Sequence, residues 1–253
     1  MMGFGQTFEE YIDLGDAALE VDNYDKAIDY FTQAIKMDPD DAYSYSGRGE
    51  AYFWLDNYEK SIADYTQAIK IDPDNAYAYT SRGDAYFMLD KNEESIADYT
   101  QAIKIDPDIA YAYASRGDVY LILENYKKSI ADYTQAIKID PSDAYTYTSR
   151  GDAYFWLDNY EKAIADYTQA IKIDPYYAYG YKSRGDAYAS LDKYEKSIAD
   201  YTQAIKIDPD DADLYKNRGI VKENAGLKYC SDFKKGCDLG LEDCCEWYYK
   251  QCK

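Results

Sequence analysis

Residues 42–75 read AYSYSGRGEAYFWLDNYEKSIADYTQAIKIDPDN, and nearly the same string returns four more times along the chain. The prolines mark the period. Pro39, Pro73, Pro107, Pro141, Pro175 and Pro209 are the six in the chain, each 34 residues from the last. A fixed period of this length means one structural unit copied along the chain. Such a unit cannot bury its apolar face alone, so the copies stack and present an extended surface rather than an enclosed pocket. The repeat therefore points to binding before any residue is considered for chemistry.

Two helical patterns lie inside the quoted stretch. The first runs from Ala42 to about Leu55, the second from Tyr58 to about Ile71. Asp56 and Asn57 supply the turn, and either suits the cap of the second helix. Pro73 ends that helix and sets the chain for the next repeat. Ser61, Ile62, Tyr65, Ala68, Ile69 and Ile71 recur close to the helical period, which predicts one buried face. ADYTQAIKIDP is identical at 63–73, 97–107, 131–141, 165–175 and 199–209. Identity this tight predicts interfaces of nearly equal strength.

Composition narrows the function. The chain carries 28 Lys and Arg against 48 Asp and Glu, a formal charge of −20. Phosphate binding needs a basic surface, so nucleic acid and anionic membranes are poor partners and a basic or neutral one is favoured. Tyrosine, at 33 residues, suits a surface half buried and half wet. Histidine is absent, which removes imidazole catalysis and imidazole metal ligands. No nucleophile–base pair or phosphate-binding glycine loop stands out. The run Asp208-Pro209-Asp210-Asp211 lacks the spacing of a calcium loop and reads as helix capping. The expectation is a protein that is not an enzyme and holds no cofactor or metal. The opening MMGFGQTFEEY has no apolar run, and no stretch reaches the length of a membrane span. The expected location is cytoplasmic, with leaderless export leaving no trace.

The repeat resembles the tetratricopeptide family, a 34-residue helix–turn–helix unit. The residues that carry the resemblance are Tyr45, Gly49 and Tyr52, then Ser61, Tyr65, Ala68 and Pro73. The first-helix set recurs at Tyr79/Gly83/Tyr86, Tyr113/Gly117/Tyr120, Tyr147/Gly151/Tyr154 and Tyr181/Gly185/Tyr188. The first repeat carries Tyr11, Leu14, Gly15, Ala27, Phe31, Ala34 and Pro39. Six repeats follow: 8–41, 42–75, 76–109, 110–143, 144–177 and 178–211, after an extension at 1–7. A degenerate seventh repeat and a Cys-rich cap fill 212–253. The resemblance implies an all-α fold, a right-handed α-solenoid superhelix of antiparallel helix pairs.

The chain departs from the family at one position. Where Leu usually precedes the glycine stand Arg48, Arg82, Arg116, Arg150 and Arg184, with Arg218 beyond. A buried guanidinium needs a partner. Two sets of acids are offered: Asp64, Asp98, Asp132, Asp166 and Asp200 in the second helices, and the acids two residues after each Arg. The expectation is a ladder of Arg–carboxylate pairs; the alternative is an Arg stem that reaches out to solvent.

In the resembled family the first helices line a concave groove. The matching stripe begins at Tyr43, Tyr77, Tyr111, Tyr145 and Tyr179. It continues through Glu50, Asp84, Asp118, Asp152 and Asp186 and ends at Phe53, Trp54, Phe87, Phe155 and Trp156. Such a groove suits an extended or helical segment with Lys or Arg among apolar residues. The alternatives are aromatics that only pack between repeats and carboxylates that form an ordinary solvated face. The Lys and Asn that clamp chaperone tails in some family members are missing. Those positions hold Ser46, Thr80, Ala114 and Thr148, and only Lys182 and Lys216 are basic.

All five cysteines lie near the end: Cys230, Cys237, Cys244, Cys245 and Cys252. Lys228–Leu239 and Leu241–Gln251 read as helices about Gly240. In an antiparallel hairpin Cys237 meets Cys245 and Cys230 meets Cys252, which fits two nested disulfides. Reduced thiols packed as small apolar groups are the other reading, and the leaderless start favours it. The functional expectation is a protein–protein interaction scaffold, with head-to-tail self-assembly through the terminal repeats as the alternative.

Overall fold

A tyrosine on the second helix of repeats two to six organises the packing, with Phe31 in its place in the first repeat. Tyr65, Tyr99, Tyr133, Tyr167 and Tyr201 are among the most deeply buried side chains, with Ala68, Ala102, Ala136, Ala170 and Ala204 one turn on. The rings of Tyr65, Tyr99, Tyr167 and Tyr201 come close to the glycine of the first helix. A Cβ on Gly83 would come within 2.9 Å of Tyr99, and one on Gly151 within 2.6 Å of Tyr167. Glycine here buys close approach between helices rather than backbone freedom.

The computed structural model describes residues 6–252, and the regular elements among them are α-helices. They fall into two compact units, one ending at Leu123 and the other starting at Glu124. The first holds α1 (Phe8–Glu20), α2 (Tyr24–Met37), α3 (Ala42–Trp54), α4 (Tyr58–Ile71), α5 (Ala76–Met88), α6 (Asn92–Ile105) and α7 (Ala110–Ile122). The second holds α8 (Tyr126–Ile139), α9 (Ala144–Phe155), α10 (Tyr160–Ile173), α11 (Ala178–Ser190), α12 (Tyr194–Ile207), α13 (Ala212–Asn224), α14 (Cys230–Asp238) and α15 (Glu242–Gln251). Within each unit every helix packs on the next, so the fold is an all-α solenoid of helix pairs.

The turn inside each repeat divides its labour between two residues. Asp56 takes the left-handed conformation, φ 55°, that ends α3, and it accepts a hydrogen bond from the Tyr58 hydroxyl at 2.7 Å. Asn57 then occupies the N-cap of α4 without a side-chain capping bond, whereas Asn23 caps α2 by accepting from the Lys26 N–H. Asp41, Asn75 and Asp211 cap α3, α5 and α13 with their side chains.

Arginine ties neighbouring repeats together. Arg82 donates Nε and Nη2 to Asp98 at 2.7 and 2.8 Å, and Nη1 to Thr66 at 3.0 Å. One guanidinium thus links α4, α5 and α6. Arg48, Arg150 and Arg184 repeat the arrangement with Asp64, Asp166 and Asp200. Arg116 donates to Thr100 at 2.8 Å. Arg218 turns to Asp232 on α14, which Lys222 also contacts at 2.7 Å. The acids two residues after each Arg are not the guanidinium partners in these pairs. Two residues are about 200° of helical turn, so those acids face the opposite side of the first helix.

Beyond α13 the repeat gives way to a hairpin. Gly240, at φ 97°, turns α14 back along α15. That register brings Cys230 to Cys252 and Cys237 to Cys245 as two nested disulfides. The structure thus carries the nested pairing that an antiparallel hairpin allows. Cys244 is free and buried. Trp247 covers the inner face, 5.4 Å from the Phe233 ring centroid and 6.2 Å from that of Tyr229.

Candidate peptide-binding groove

The first helices of the first unit, α1, α3, α5 and α7, carry a row of cavities. The first, about 270 Å³, is lined by Phe8, Glu9, Ile12, Asp13, Asp41 and Tyr43. The next, about 360 Å³, lies between Tyr43 and Tyr77 with Asp16 and Glu50 in its wall. The largest, about 500 Å³, is walled by Glu50, Phe53, Trp54, Tyr77, Asp84, Asp106, Ile109 and Tyr111. Tyr43 borders the first and second cavities, and Glu50 and Tyr77 border the second and third. No lysine or arginine lines any of the three.

Tyrosines of the groove stripe stand on acids of the preceding first helix within each unit. Tyr43 donates to Asp16 at 2.9 Å and Tyr77 to Glu50 at 2.8 Å. Tyr179 repeats the contact with Asp152 at 3.1 Å in the second unit. A phenol from the second helix also reaches acids of this row from beneath. Tyr99 donates to Asp84 at 2.6 Å and Tyr167 to Asp152 at 2.8 Å. The glycine beside each acid makes this reach, because Gly83 and Gly151 let the ring lie against the helix. Tyr201 donates to Asp186 in the same way.

These acids are held out of water. Burial pushes the carboxyls of Asp84 and Asp152 up to about 6, with the phenols only partly offsetting it. Asp16 is raised by the same cause. Burial, then the Asp16 contact, pushes the Tyr43 phenol up to about 12. The phenols therefore stay protonated donors at neutral pH, and the acids supply negative charge along an aromatic floor.

Among the other stripe residues, Tyr111 and Tyr145 are exposed and Asp118 is half-buried. Trp54 is 57% exposed and stacks on Tyr24 with centroids 6.3 Å apart. Phe53 is half-buried, packed edge-on against Tyr58. Phe87 is half-buried too, and Phe155 packs against the cluster of Ala163, Tyr167 and Ala187, with Trp156 exposed beside it. Asp41, Asp106 and Ile109 come from the loops before the first helices and lie outside the stripe read from the sequence. Their signal is the proline they flank: Asp106 precedes Pro107, and Asp41 follows Pro39 by two residues.

Family models described as TPR repeat match residues 83–123, 117–158 and 185–226. Models described as tetratricopeptide repeat match 12–76, 64–97 and 144–177. No curated protein matches the chain in sequence. Among solved structures, MamA is 27% identical over 68% of this chain and 94% of its own, with a TM-score of 0.61. A tetratricopeptide repeat protein from Parabacteroides merdae covers 97% of this chain and 98% of its own at 21% identity, with a TM-score of 0.70. YrrB, described as a TPR protein with an unusual peptide-binding site, is 23% identical over 72% of this chain and 93% of its own, with a TM-score of 0.62.

Proposed function

The chain belongs to the tetratricopeptide repeat family and is a protein-interaction scaffold, and we propose that its first unit holds an extended segment of a partner protein in the groove along α1, α3, α5 and α7. The observation that carries this reading is the run of adjoining cavities walled by tyrosines and carboxylates with no basic side chain among them. The partner that fits has Lys or Arg spaced among apolar residues. Its cations meet Asp16, Glu50 and Asp84, and its apolar side chains enter the aromatic cavities. The peptide-binding site described for YrrB, a protein of like fold, is in keeping with this use. Among the described residues no group of three His, Cys, Asp or Glu is placed to hold a metal ion. Among the described residues no helix is long and apolar enough to cross a membrane.

The alternative of head-to-tail assembly is disfavoured by the hairpin of α14 and α15, which covers α13 and so closes one end of the second unit. Fluorescence anisotropy of the full chain with a blocked peptide alternating lysine and leucine, against its glutamate counterpart, tests the groove reading. The lysine peptide binds, and its affinity falls as salt rises. Equal affinity for both, or preference for the glutamate peptide, overturns the reading. Light scattering over a concentration series separates the alternative: constant mass near 29.1 kDa fits a scaffold, and growing mass fits assembly.

A further inference from the structure

One repeat position is filled differently along the chain. Tyr77, Thr80 and Asp84 correspond, three repeats on, to Tyr179, Lys182 and Asp186. Lys182 places its ammonium 3.3 Å from Asp186 Oδ2 and 5.8 Å from the centroid of the Tyr179 ring. The next repeat carries Lys216 at the same position, with its ammonium 3.3 Å from Asp243. In α11 and α13, then, the chain fills this place with its own lysine, whereas α9 keeps Thr148. In the first unit the residue is Thr80, whose hydroxyl donates to the Ala76 carbonyl at 2.9 Å. The carboxylates remain, and the space becomes the largest of the three cavities.

We propose that the cavity between α3, α5 and α7 is a subsite for one lysine side chain of the bound segment, entering where Lys182 lies in the second unit. The proposal deepens the groove reading and rests on it. The ammonium meets Asp84 and the face of Tyr77, as Lys182 meets Asp186 and Tyr179. Phe53 and Trp54 offer apolar surface to the alkyl stem. Arginine fits less well. Its fork takes both oxygens of a carboxylate, as Arg82 does at Asp98, but Asp84 Oδ1 already accepts from Tyr99 at 2.6 Å.

The test uses the full chain and two small probes, Nα-acetyl-lysine methylamide and its Nε-acetylated form, read by the indole N–H signal of Trp54. The charged probe gives a saturable shift, and acetylation weakens it by about tenfold, as loss of one cation–π and carboxylate contact implies. Thr80→Lys installs the internal cation of the second unit and abolishes the shift, with helicity retained. Asp84→Asn removes the charge without changing shape and also abolishes it, which keeps the test decisive if Thr80→Lys does not fold. No saturable shift, equal binding of both probes, or undiminished binding by a folded variant overturns the subsite. The lysine–leucine peptide, measured on the same samples, separates the two claims. Peptide binding without discrimination between the probes removes the subsite and leaves the groove. Probe binding without peptide binding removes the groove.

Discussion

Arg48 grips Asp64 through two parallel hydrogen bonds of 2.7 Å, across 16 residues of sequence and from one helix of the repeat to the other. Its remaining donor reaches Thr32 at 3.1 Å in the preceding repeat. The pair is largely shielded, and its geometry satisfies both carboxylate oxygens, the condition under which a buried ion pair is tolerated.

Arg82→Leu restores the residue most common in the family yet strands Asp98, whose side chain is 8% exposed, as a buried unpaired charge. The expected loss is about 3–5 kcal/mol of stability in a denaturant titration. Arg82→Leu with Asp98→Leu recovers most of it. A single variant as stable as the parent shows the ladder to be dispensable.

Asp84 makes stability depend on pH in the direction opposite to a salt-bridged acid. Its carboxyl is raised from 3.8 to about 6, so the folded chain binds more protons than the unfolded chain between those values. The added stability is complete below about 4 and is lost as pH rises through about 6, a change on the order of 3 kcal/mol. Asp84→Asn removes its share of this slope and leaves that of Asp152, raising the melting temperature at pH 7 and leaving it unchanged at pH 4. An unaltered slope in the variant locates the dependence elsewhere. Binding of a basic ligand weakens as pH falls through about 6, because protonation removes the carboxylate charge.

Ser61 buries its hydroxyl against the neighbouring helix without a hydrogen-bond partner. Ala163 holds the same place in its own repeat, fully buried. Ser61→Ala is therefore neutral or stabilising by up to about 2 kcal/mol in denaturant titration. Destabilisation by more than about 1 kcal/mol contradicts the packing described for this position.

Reduction of Cys230–Cys252 and Cys237–Cys245 loosens the cap locally. Each closes a short loop, with sequence separations of 22 and 8 residues, and each contributes about 2–4 kcal/mol. Stability in a solenoid is carried between neighbours, so amide exchange rises in α14 and α15 and stays unchanged in α1–α7. Before reduction Cys244 resists thiol reagents, since burial pushes its thiol up. Uniform acceleration along the chain contradicts a local cap.

The helices were legible because proline and asparagine punctuate a strict period. α4 spans Tyr58–Ile71, as the spacing predicts, and α3 stops at Trp54, one residue short of the expected Leu55. The link from Arg48 to Asp64 was within reach for the same reason, since both recur in repeats two to six. The groove acids were less legible. As a stripe, Asp84 reads as a free surface charge, but Tyr99, which reads as core, reaches it past Gly83. That contact depends on ring depth, which periodicity does not encode. The loop acids of the cavities were missed because loops lie outside any helical face. Lys182 and Asp186, four residues apart on one helix, form a pair that spacing alone supports, but its counterpart cavity in the first unit shows only in three dimensions.

Amide hydrogen exchange of the full chain with and without the lysine–leucine peptide tests the central claim most directly. The account predicts slowed exchange in α3, α5 and α7 and in the loop holding Asp106 and Ile109, with α4 and α6 little changed. Protection concentrated on α4 and α6, with the first helices unaffected, contradicts it.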